Sequence, residues 1–378
     1  MKDKNRIFNV AIAGCGAISG SYLKAAPMFA KQYRIYCCCD TMQERAEQFA
    51  EKANCKALSW DEVLADPEVD MVINLTPHTF HAKLNLEAIN AGKHVYSEKP
   101  LAGTLEEAKA ILDAAKANNV RIGSAPDTIL GASHQGARKM LDDGLIGRPI
   151  AAMTMWIWHG PDSFSHAPMF YGANAGPTLD QGIYHIVTMI DFFGPVKSVS
   201  AKQTQGDKTR RFGAVVSDAY ADRYKPYDPY PVEVMTHDTA IIEFESGVIL
   251  TYIASNEAYQ TSLSGQEIYG TTGAIRVENP EKFGLEPNKI CCRNDNQWLP
   301  APTPFCYRGE SRGVGAADMI SAIRNDRVHR CSGELAYHAL EVMLAIRKSS
   351  QEHRIVEIES TCERSVLLPE AAYPGDFE

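Results

Sequence analysis

Apolar and polar positions follow two different periods along the first third of the chain. Five short apolar runs, each suited to a buried strand, alternate with longer segments whose apolar residues recur every three or four positions. The predicted strands are Ile7–Ala13, Tyr33–Cys39, Met71–Leu75, His94–Ser97 and Val120–Gly123, and the predicted helices are Ile18–Ala30, Met42–Glu51, Phe80–Ala91 and Thr104–Asn118. This alternation predicts an α/β fold with a doubly wound parallel sheet and right-handed crossovers.

The pattern changes after about Pro126. The later elements are helices at Ala132–Asp143, Gly182–Phe193, Val314–Asn325 and Gly333–Gln351, and strands at Ile150–Trp158, in "THDTAIIEFE" and "VILTYIAS", and at Arg354–Ile358. Ser246–Gly247 is predicted to join the two quoted strands as a tight hairpin. We therefore predict a Rossmann domain over residues 1–127 and an α+β domain over 128–378 with an open, mostly antiparallel sheet. The segment 206–234, rich in Tyr, Pro and Asp, has no role that its pattern indicates.

Composition and charge narrow the class of protein. The 378 residues are 45% hydrophobic and 22% charged, as in a globular protein of about two domains. The formal charge of −9 argues against a nucleic acid or an anionic membrane as partner. No apolar run is long enough for a signal core or a membrane span.

Ten cysteines raise the question of metal or disulfides. Cys37–Cys39 and Cys291–Cys292 are consecutive, which is not the spacing of zinc ligands. Such runs are more typical of a sheet core, so we expect no metal site. Unpaired cysteines in a protein of this size favour the reducing cytoplasm.

A glycine-rich turn follows the first predicted strand. In "VAIAGCGAIS", Gly14 permits a tight turn and Gly16 lets the backbone approach a pyrophosphate, while Ala17 and Ile18 open the next helix. The third position of the fingerprint is Ser19 instead of glycine, which is still small enough for close packing. Strand, turn and helix in this order predict a dinucleotide site.

An acidic residue supports that interpretation and specifies the nucleotide. Asp40 ends the second predicted strand, where a carboxylate binds the ribose 2′-hydroxyl. A carboxylate there repels a 2′-phosphate, and no arginine is adjacent. The sequence therefore favours NAD over NADP.

Polar residues also follow the next strands, and ligands of such sheets bind beyond the carboxyl ends of strands. "LTPHTFHA" supplies Thr76, His78 and His81, each of which either contacts the cofactor or serves the local helix. "SEKP" supplies Glu98 and Lys99 at the next strand end. We predict that these residues face the nicotinamide, and that the bond from Lys99 to proline is cis.

Several quoted segments resemble one enzyme family. "AGCGAIS", "CCCD", "LTPHTFHA", "AGKHVYSEKPLA" and "GPTLDQGIYHIVTMIDFFGPV" occur in the order found in the glucose–fructose oxidoreductase and inositol dehydrogenase (Gfo/Idh/MocA) family, and "RGVGAADM" is similar to one branch of it. The resemblance implies an NAD(P)-dependent oxidoreductase of sugars or polyols. It also implies an open sheet that often mediates assembly, hence a homo-oligomer such as a dimer or tetramer.

The same resemblance implies the catalytic residues. The catalytic lysine of the family falls on Lys99, and its D-x-G-x-[H/Y] element falls on Asp180, Gly182 and Tyr184. His185 is displaced by one position from the histidine of other members. In a helix, residues four apart share a face and consecutive residues are about 100° apart, so Asp180 and Tyr184 point together and His185 points elsewhere. This geometry favours Tyr184 as the proton-transfer partner of Lys99, with His185 as the competing candidate.

The substrate pocket is expected between the two domains. Its candidate residues suit a polyhydroxylated, unphosphorylated sugar or glycoside; they are Asp127, Trp156, Trp158, His159, His166, Phe170 and His237. Three other functions stay open. They are glycoside cleavage by oxidation and elimination with a recycled cofactor, oxidation of aromatic trans-dihydrodiols, and a non-catalytic sensor of NAD and sugar.

Overall fold

A computed structural model of the chain describes residues 6–173, 175–217, 219–262 and 265–378. Residues 1–5 of the predicted first domain lie outside the described residues. So do Asn174, Asp218 in the segment of unassigned role, and residues 263–264.

The first part of the chain forms a six-stranded parallel sheet with helices around it. Its strands are β1 (Phe8–Ala13), β2 (Tyr33–Cys39), β3 (Lys56–Ala57), β4 (Met71–Asn74), β5 (His94–Ser97) and β6 (Ile122–Ser124). Its helices are α1 (Ser19–Ala25), α2 (Gln43–Ala53), α3 (Trp60–Ala65), α4 (His81–Asn90) and α5 (Leu105–Ala117). The strand order β3-β2-β1-β4-β5-β6 reverses direction between β1 and β4, which is where such sheets bind ligands.

The second part is a nine-stranded sheet with helices on one face. After α6 (Ala132–Asp142), its elements are β7 (Pro149–Ile157), α7 (Ile183–Phe193), β8 (Val196–Thr204), β9 (Thr209–Arg211), β10 (Pro229–Pro231), β11 (His237–Phe244), β12 (Ile249–Ser255), β13 (Gly265–Gly270), β14 (Gly273–Val277), β15 (Asn288–Cys292), β16 (Leu299–Ala301), α8 (Val314–Asn325), α9 (Gly333–Glu352) and β17 (Val356–Glu357). The sheet order is β16-β15-β14-β13-β7-β12-β11-β8-β17, and only the pairing of β12 with β7 is parallel within the described residues. β9 and β10 form a separate hairpin. The predicted fold class is confirmed.

Several predicted bounds were wrong for identifiable reasons. The first helix was predicted to reach Ala30, but α1 ends at Ala25 and a 3-10 turn follows. Pro27 lies in that turn, and proline removes a backbone donor that a continuing helix needs. The prediction also missed β8 and the short strands β13 to β16, whose runs are interrupted by glycine and polar residues.

The two parts of the chain interlock. Ser124 at the end of β6 donates its backbone N–H to Cys331 at 3.2 Å, and Gly123 bridges Ser332. Asp127 accepts hydrogen bonds from backbone N–H groups at the start of α8. Helices α8 and α9 both pack against β6 of the parallel sheet, and α9 also packs against β8 and β17 of the second sheet. The division into two domains at residue 127 remains a proposal. It follows the order of the elements along the chain, whereas helices from the second part pack against the first.

Cysteine usage agrees with a sheet core. Cys37, Cys38 and Cys39 are buried in β2, and all ten cysteines are free. Among the described residues, no group of three or more His, Cys, Asp or Glu side chains is placed to hold a metal ion. No helix in the described ranges has the length and apolar character needed to cross a membrane.

Candidate active site

The turn between β1 and α1 has the backbone geometry of the predicted fingerprint. Gly14 has a φ of +93°, and a Cβ there would lie 2.9 Å from the backbone of Leu75. Gly16 is exposed, and a Cβ at this position would meet nothing within 4 Å. Ala17 beside it is exposed and Ile18 is half-buried. The open space over this turn fits a pyrophosphate, which must approach backbone N–H groups closely.

Asp40 follows β2 directly and points its carboxylate at the same turn. Its Oδ2 accepts from the backbone N–H of Cys15 at 2.8 Å, and its Oδ1 accepts from that of Met42 at 2.9 Å. These bonds fix the carboxylate, and its remaining lone pairs are available to a ribose hydroxyl. The glycine turn and Asp40 therefore fit NAD, and would hold its pyrophosphate and its adenosine ribose.

The loop after β4 separates the three residues that the sequence placed there. His81 is buried and holds two loops together, since its ring nitrogens lie 2.7 Å from the carbonyl oxygen of Pro100 and 2.8 Å from that of Thr76. Burial lowers the pKa of His81, although both carbonyl oxygens favour the protonated ring. His78 is half-buried, and burial lowers its pKa while Asp180 acts to raise it. His78 thus lies toward the open site, whereas His81 supports the loop from behind.

The end of β5 carries the "SEKP" residues. The Lys99–Pro100 bond is cis, as predicted. Glu98 is buried, and its Oε1 accepts the hydroxyl proton of Tyr22 at 2.9 Å while its Oε2 accepts the backbone N–H of Lys99 at 3.1 Å. Glu98 therefore supplies a fixed negative charge directly beneath Lys99.

Lys99, Asp180 and Tyr184 converge in the structure. The Lys99 Nζ donates to Asp180 Oδ1 at 2.9 Å and to the Asp180 backbone oxygen at 2.6 Å. The same Nζ lies 5.2 Å from the centroid of the Tyr184 ring. Asp180 belongs to a π-helical turn, Thr178–Gly182, and Tyr184 follows in the first turn of α7. Turns of this kind occur often at functional sites.

Buried charges determine the protonation of this cluster. Burial acts to lower the pKa of the Lys99 ammonium, but Asp180, Tyr184 and Glu98 outweigh it, so the pKa is raised above its ordinary value. Burial raises the pKa of Tyr184, while Lys99 opposes that shift. Both groups therefore carry their protons at neutral pH in the free protein.

Two loops bring further charged residues that the sequence did not select. Arg312 donates from Nη1 to Glu310 Oε2 at 2.5 Å, and its guanidinium acts to lower the pKa of Tyr184. Burial raises the pKa of Glu281, on which Lys99 and Arg312 act in the opposite direction. No spacing rule links either residue to the catalytic motifs, because each comes from a loop far along the chain, although Arg312 opens the segment "RGVGAADM" that is similar to one branch of the family.

His185 faces away from Lys99. It is buried, with its Nδ1 2.5 Å from the Thr154 hydroxyl of β7. Burial, and to a smaller extent the neighbouring His134, lowers the pKa of His185 to about 3. A neutral imidazole packed against the sheet does not reach the reacting groups, so the structure brings Tyr184 and not His185 to the cluster.

One of the predicted substrate residues lies near the cluster. Trp156 on β7 instead packs against the His185 ring, on the side of α7 that faces away from Lys99, with 6.3 Å between ring centroids. His166 is half-buried; burial lowers its pKa, and Asp180 acts to raise it. His166 is therefore within electrostatic reach of Asp180.

Three predicted substrate residues lie elsewhere, which corrects their assignment. Asp127 is buried, and its Oδ2 accepts from the backbone N–H of Gly313 at 2.8 Å and of Gly315 at 3.1 Å, so it caps α8. His159 stacks on Tyr259 with 3.8 Å between ring centroids, outside the cluster.

His237 is the third of these residues. Its ring lies on the uncovered face of the second sheet, where its nitrogens meet the hydroxyls of Ser255 and Thr239 at 2.9 and 3.1 Å. On the opposite face of β11, the buried Asp238 accepts from Thr178 at 2.5 Å. The register of the strand, which the sequence pattern does not fix at a strand end, decides which neighbour turns toward the helices.

Two family models match most of the chain. Residues 8–125 match the oxidoreductase family with an NAD-binding Rossmann fold, and residues 134–276 match the GFO/IDH/MocA C-terminal domain.

Several curated relatives are sugar and polyol enzymes. The chain is 40% identical over 322 residues to the 1,5-anhydro-D-fructose reductase of Ensifer adhaerens, covering 80% of this chain and 84% of that protein. It is 27% identical over 276 residues to the scyllo-inositol 2-dehydrogenase (NAD(+)) of Bacillus subtilis, covering 71% of this chain and 72% of that protein.

A solved structure with both ligands shares the fold. Levoglucosan dehydrogenase in complex with NADH and levoglucosan superposes with a TM-score of 0.77 at 23% identity, covering 94% of this chain and all of that one. The family models and the relatives agree with the geometry of the glycine turn. The chain belongs to the Gfo/Idh/MocA family of NAD-binding oxidoreductases that act on CH–OH groups.

Proposed function

We propose that this protein transfers a hydride between a secondary alcohol carbon of a sugar, polyol or glycoside and nicotinamide, with Lys99 and Tyr184 as the proton-transfer pair. The observation that carries the proposal is the position of the Lys99 Nζ, 2.9 Å from Asp180 Oδ1 and 5.2 Å from the Tyr184 ring centroid. Bound NAD supplies the acceptor or donor of the hydride.

The residues of the chain manage the proton. When a ketone is reduced, the Tyr184 hydroxyl donates its proton to the forming alkoxide oxygen, and Lys99 stabilises the phenolate that results. When an alcohol is oxidised, the same proton returns from the substrate oxygen. Asp180 fixes the lysine through two hydrogen bonds and offers its free carboxylate oxygen to a substrate hydroxyl. General acid–base help of this kind accelerates a reaction by about 10²–10⁴-fold.

Replacing Lys99 tests the pair directly. We expect Lys99→Met to lower kcat by about 10²–10⁴-fold, because the phenolate loses its neighbouring cation. NADH affinity, measured by fluorescence titration, should change far less, and Lys99→Arg serves as the charge-conserving control. Thermal unfolding must be measured alongside, since Asp180 loses a partly buried ion-pair partner. Unchanged turnover by Lys99→Met on the true substrate would end the assignment.

The carboxylate of Asp40 supports a preference for NAD over NADP. Asp40→Ser removes the charge that repels a 2′-phosphate and keeps a hydrogen-bonding side chain. We expect the ratio of kcat/KM for NAD⁺ to that for NADP⁺ to fall by roughly tenfold or more, as the loss of one charge interaction of about 1.4 kcal/mol implies. An unchanged ratio would contradict the role of Asp40.

An assay of NADH formation across inositols, anhydrosugars, sugars and methyl glycosides, with ketone reduction in parallel, identifies the substrate. The sugar names of the relatives support this panel. Glycoside cleavage without NADH release would indicate oxidation and elimination with a recycled cofactor. Turnover of trans-dihydrodiols alone would indicate that reaction instead. Binding of NAD and sugar without any turnover would indicate a sensor.

Assembly and location are also proposed. The face of the second sheet opposite the helices exposes Ile241 and Ile249 to 47% and 39%. An apolar sheet face of this kind supports a homo-oligomer, a dimer or tetramer, which sedimentation would test. Ten free cysteines support a cytoplasmic location.

A further inference from the structure

A row of aromatic side chains leads away from the Lys99 cluster. We call it the aromatic wall; its members are Trp156, Trp158, Phe164, His166 and Phe170. The ring centroids of Trp156 and Trp158 are 5.6 Å apart, and those of Trp158 and Phe164 are 6.2 Å apart. The centroid of Phe164 lies 5.9 Å from that of His166 and 6.0 Å from that of Phe170. The rings thus form one continuous surface.

The wall approaches the catalytic cluster at His166 and is open to solvent at Phe164. The strand β7, which carries Trp156, contacts the π-helical turn that holds Asp180, and Asp180 acts on the pKa of His166. Phe164 is 41% exposed, although it is a large apolar residue. The indole N–H of Trp156 is buried and has no hydrogen-bond partner among the described residues. An exposed ring and an unused donor beside a reactive site are features of a binding surface.

The segment 206–232 holds this wall in place. Arg210 on β9 is buried, and its guanidinium donates to the carbonyl oxygen of His159 at 3.3 Å, to Asp162 Oδ2 at 3.2 Å and to the carbonyl oxygen of Asn256 at 2.9 Å. It also pairs with Glu257 at 2.8 Å. One buried cation therefore ties the start of the loop that carries Phe164 to the segment that follows β12.

A small aromatic core in the segment 206–232 packs against the loop of the aromatic wall and supports it together with Arg210. Phe212 contacts Tyr224 and Tyr230 with ring centroids 5.2 and 5.0 Å apart, and Tyr171 packs 5.9 Å from Tyr230. The backbone N–H of Ser217 donates to the Ser165 carbonyl oxygen at 2.8 Å. This core is separate from the main hydrophobic core of the protein. Among the described residues, its members come from the loop of the aromatic wall and from the segment 206–232.

We propose that the aromatic wall is a subsite for a second ring of the substrate, so that the protein acts on glycosides whose aglycone is an aromatic group or another sugar. The inference rests on the proposed function. Aromatic rings bind the apolar face of a sugar or another aromatic ring. The wall extends over several ring widths, which a single pyranose at Tyr184 does not cover. A wall held by a buried arginine is also preorganised, so little entropy is lost when a ring binds.

Matched glycosides test the proposal. Methyl and phenyl β-D-glucopyranoside, with cellobiose as the sugar arm, are compared as substrates or, where they are not oxidised, as competitive inhibitors of the sugar that the NAD⁺ assay identifies. We expect phenyl glucoside or cellobiose to be preferred over methyl glucoside by about three- to tenfold, the value of one or two aromatic contacts. Phe164→Ala should reduce that ratio toward one and leave the methyl glucoside within about twofold. Tyr373→Ala, which removes an exposed ring from the C-terminal segment, is the matched control.

The outcomes separate the two proposals. The subsite is supported if Phe164→Ala and Arg210→Met both lose the preference for phenyl glucoside or cellobiose over methyl glucoside. Both variants must retain turnover of the methyl glucoside or of the identified sugar. Equal values for all three glycosides in the wild type, or an unchanged ratio in Phe164→Ala, overturn it while the proposed function stands. A protein that oxidises or reduces no sugar, polyol or glycoside overturns the proposed function, and the subsite with it.

Discussion

Tyr184 and His185 are neighbours in sequence, yet they lie in two opposite environments. The Tyr184 side of α7 meets Lys99 and Arg312, and its charges come from both parts of the chain. The His185 side meets Thr154 and the buried His134, where burial suppresses protonation altogether. The two side chains have similar chemistry, since each can move a proton. The surroundings of a titratable group, and not its type alone, therefore decide whether it can meet Lys99.

The largest expected effect is the difference in kcat between variants of Tyr184 and of His185. Tyr184→Phe removes one oxygen and should lower kcat by about 10²–10⁴-fold, because it removes the proton donor without creating a large cavity. His185→Gln keeps a polar group beside Thr154 and should leave kcat within about threefold. Steady-state kinetics of both variants settle the comparison. A severe loss in His185→Gln with normal thermal stability, and a mild loss in Tyr184→Phe, would reverse our assignment.

A second effect concerns the stability of the folded protein on the histidine side. Burial lowers the pKa of His134 to about 4 and that of His185 to about 3, whereas an unfolded histidine titrates near 6.5. Both are neutral in both states above pH 7. As the pH falls below 6.5, these histidines become protonated in the unfolded chain but not in the folded chain. Each of them therefore lowers the free energy of unfolding by about 2 kcal/mol at pH 5.

Urea unfolding between pH 5 and pH 7 measures this loss. His134→Leu should reduce the decline between pH 7 and pH 5 by about 2 kcal/mol. The remainder should persist, because burial also lowers the pKa values of His81, His329 and His338. An equally steep decline in His134→Leu would show that other groups cause the acid sensitivity.

A third, smaller effect tests Arg312 as a positioning residue for Tyr184. Burial raises the pKa of Tyr184, and Arg312 is one of the groups that oppose the shift, together with Lys99; Glu98 acts with burial. Arg312→Gln should therefore move the alkaline rise of the oxidation rate to higher pH, with a loss of rate on the rising limb.

The pH profile of kcat/KM distinguishes this role from a structural one. Arg312→Lys should restore part of the shift, since it returns the charge but not the planar guanidinium. A uniform loss of rate at every pH, without a shift, would exclude the proposed influence on Tyr184.

The sequence predicted the parallel sheet better than the second sheet for a physical reason. Strands such as β4 are buried on both faces, so they read as continuous apolar runs bounded by turns. In β8 the buried positions alternate with exposed ones, and lysines occupy two of the exposed positions, so the run resembles a polar segment. The strands β15 and β16 are also short and lie at the edge of the sheet.

Much of the site could be predicted, because its residues follow strand ends or helical spacing. Lys99 comes at the end of β5, and Asp180 and Tyr184 lie four positions apart. Arg312 could not be predicted, since only the folded loop brings it to Tyr184. Asp127 was expected at the substrate because it follows the last parallel strand, but the free N–H groups at the start of α8 bind its carboxylate instead.

The attachment of Asp127 to Gly313 and Gly315 has a consequence for engineering. Exchange of substrate modules between relatives would appear simple if the chain were cut directly after the nucleotide-binding sheet. In such a chimera the Asp127 carboxylate would come from one parent, and the backbone N–H groups of Gly313 and Gly315 that bind it would come from another. The cut would also replace helices α8 and α9, which pack against the parallel sheet. A graft that keeps α8 and α9 with their native sheet, and exchanges only the material between α6 and β16, preserves this junction.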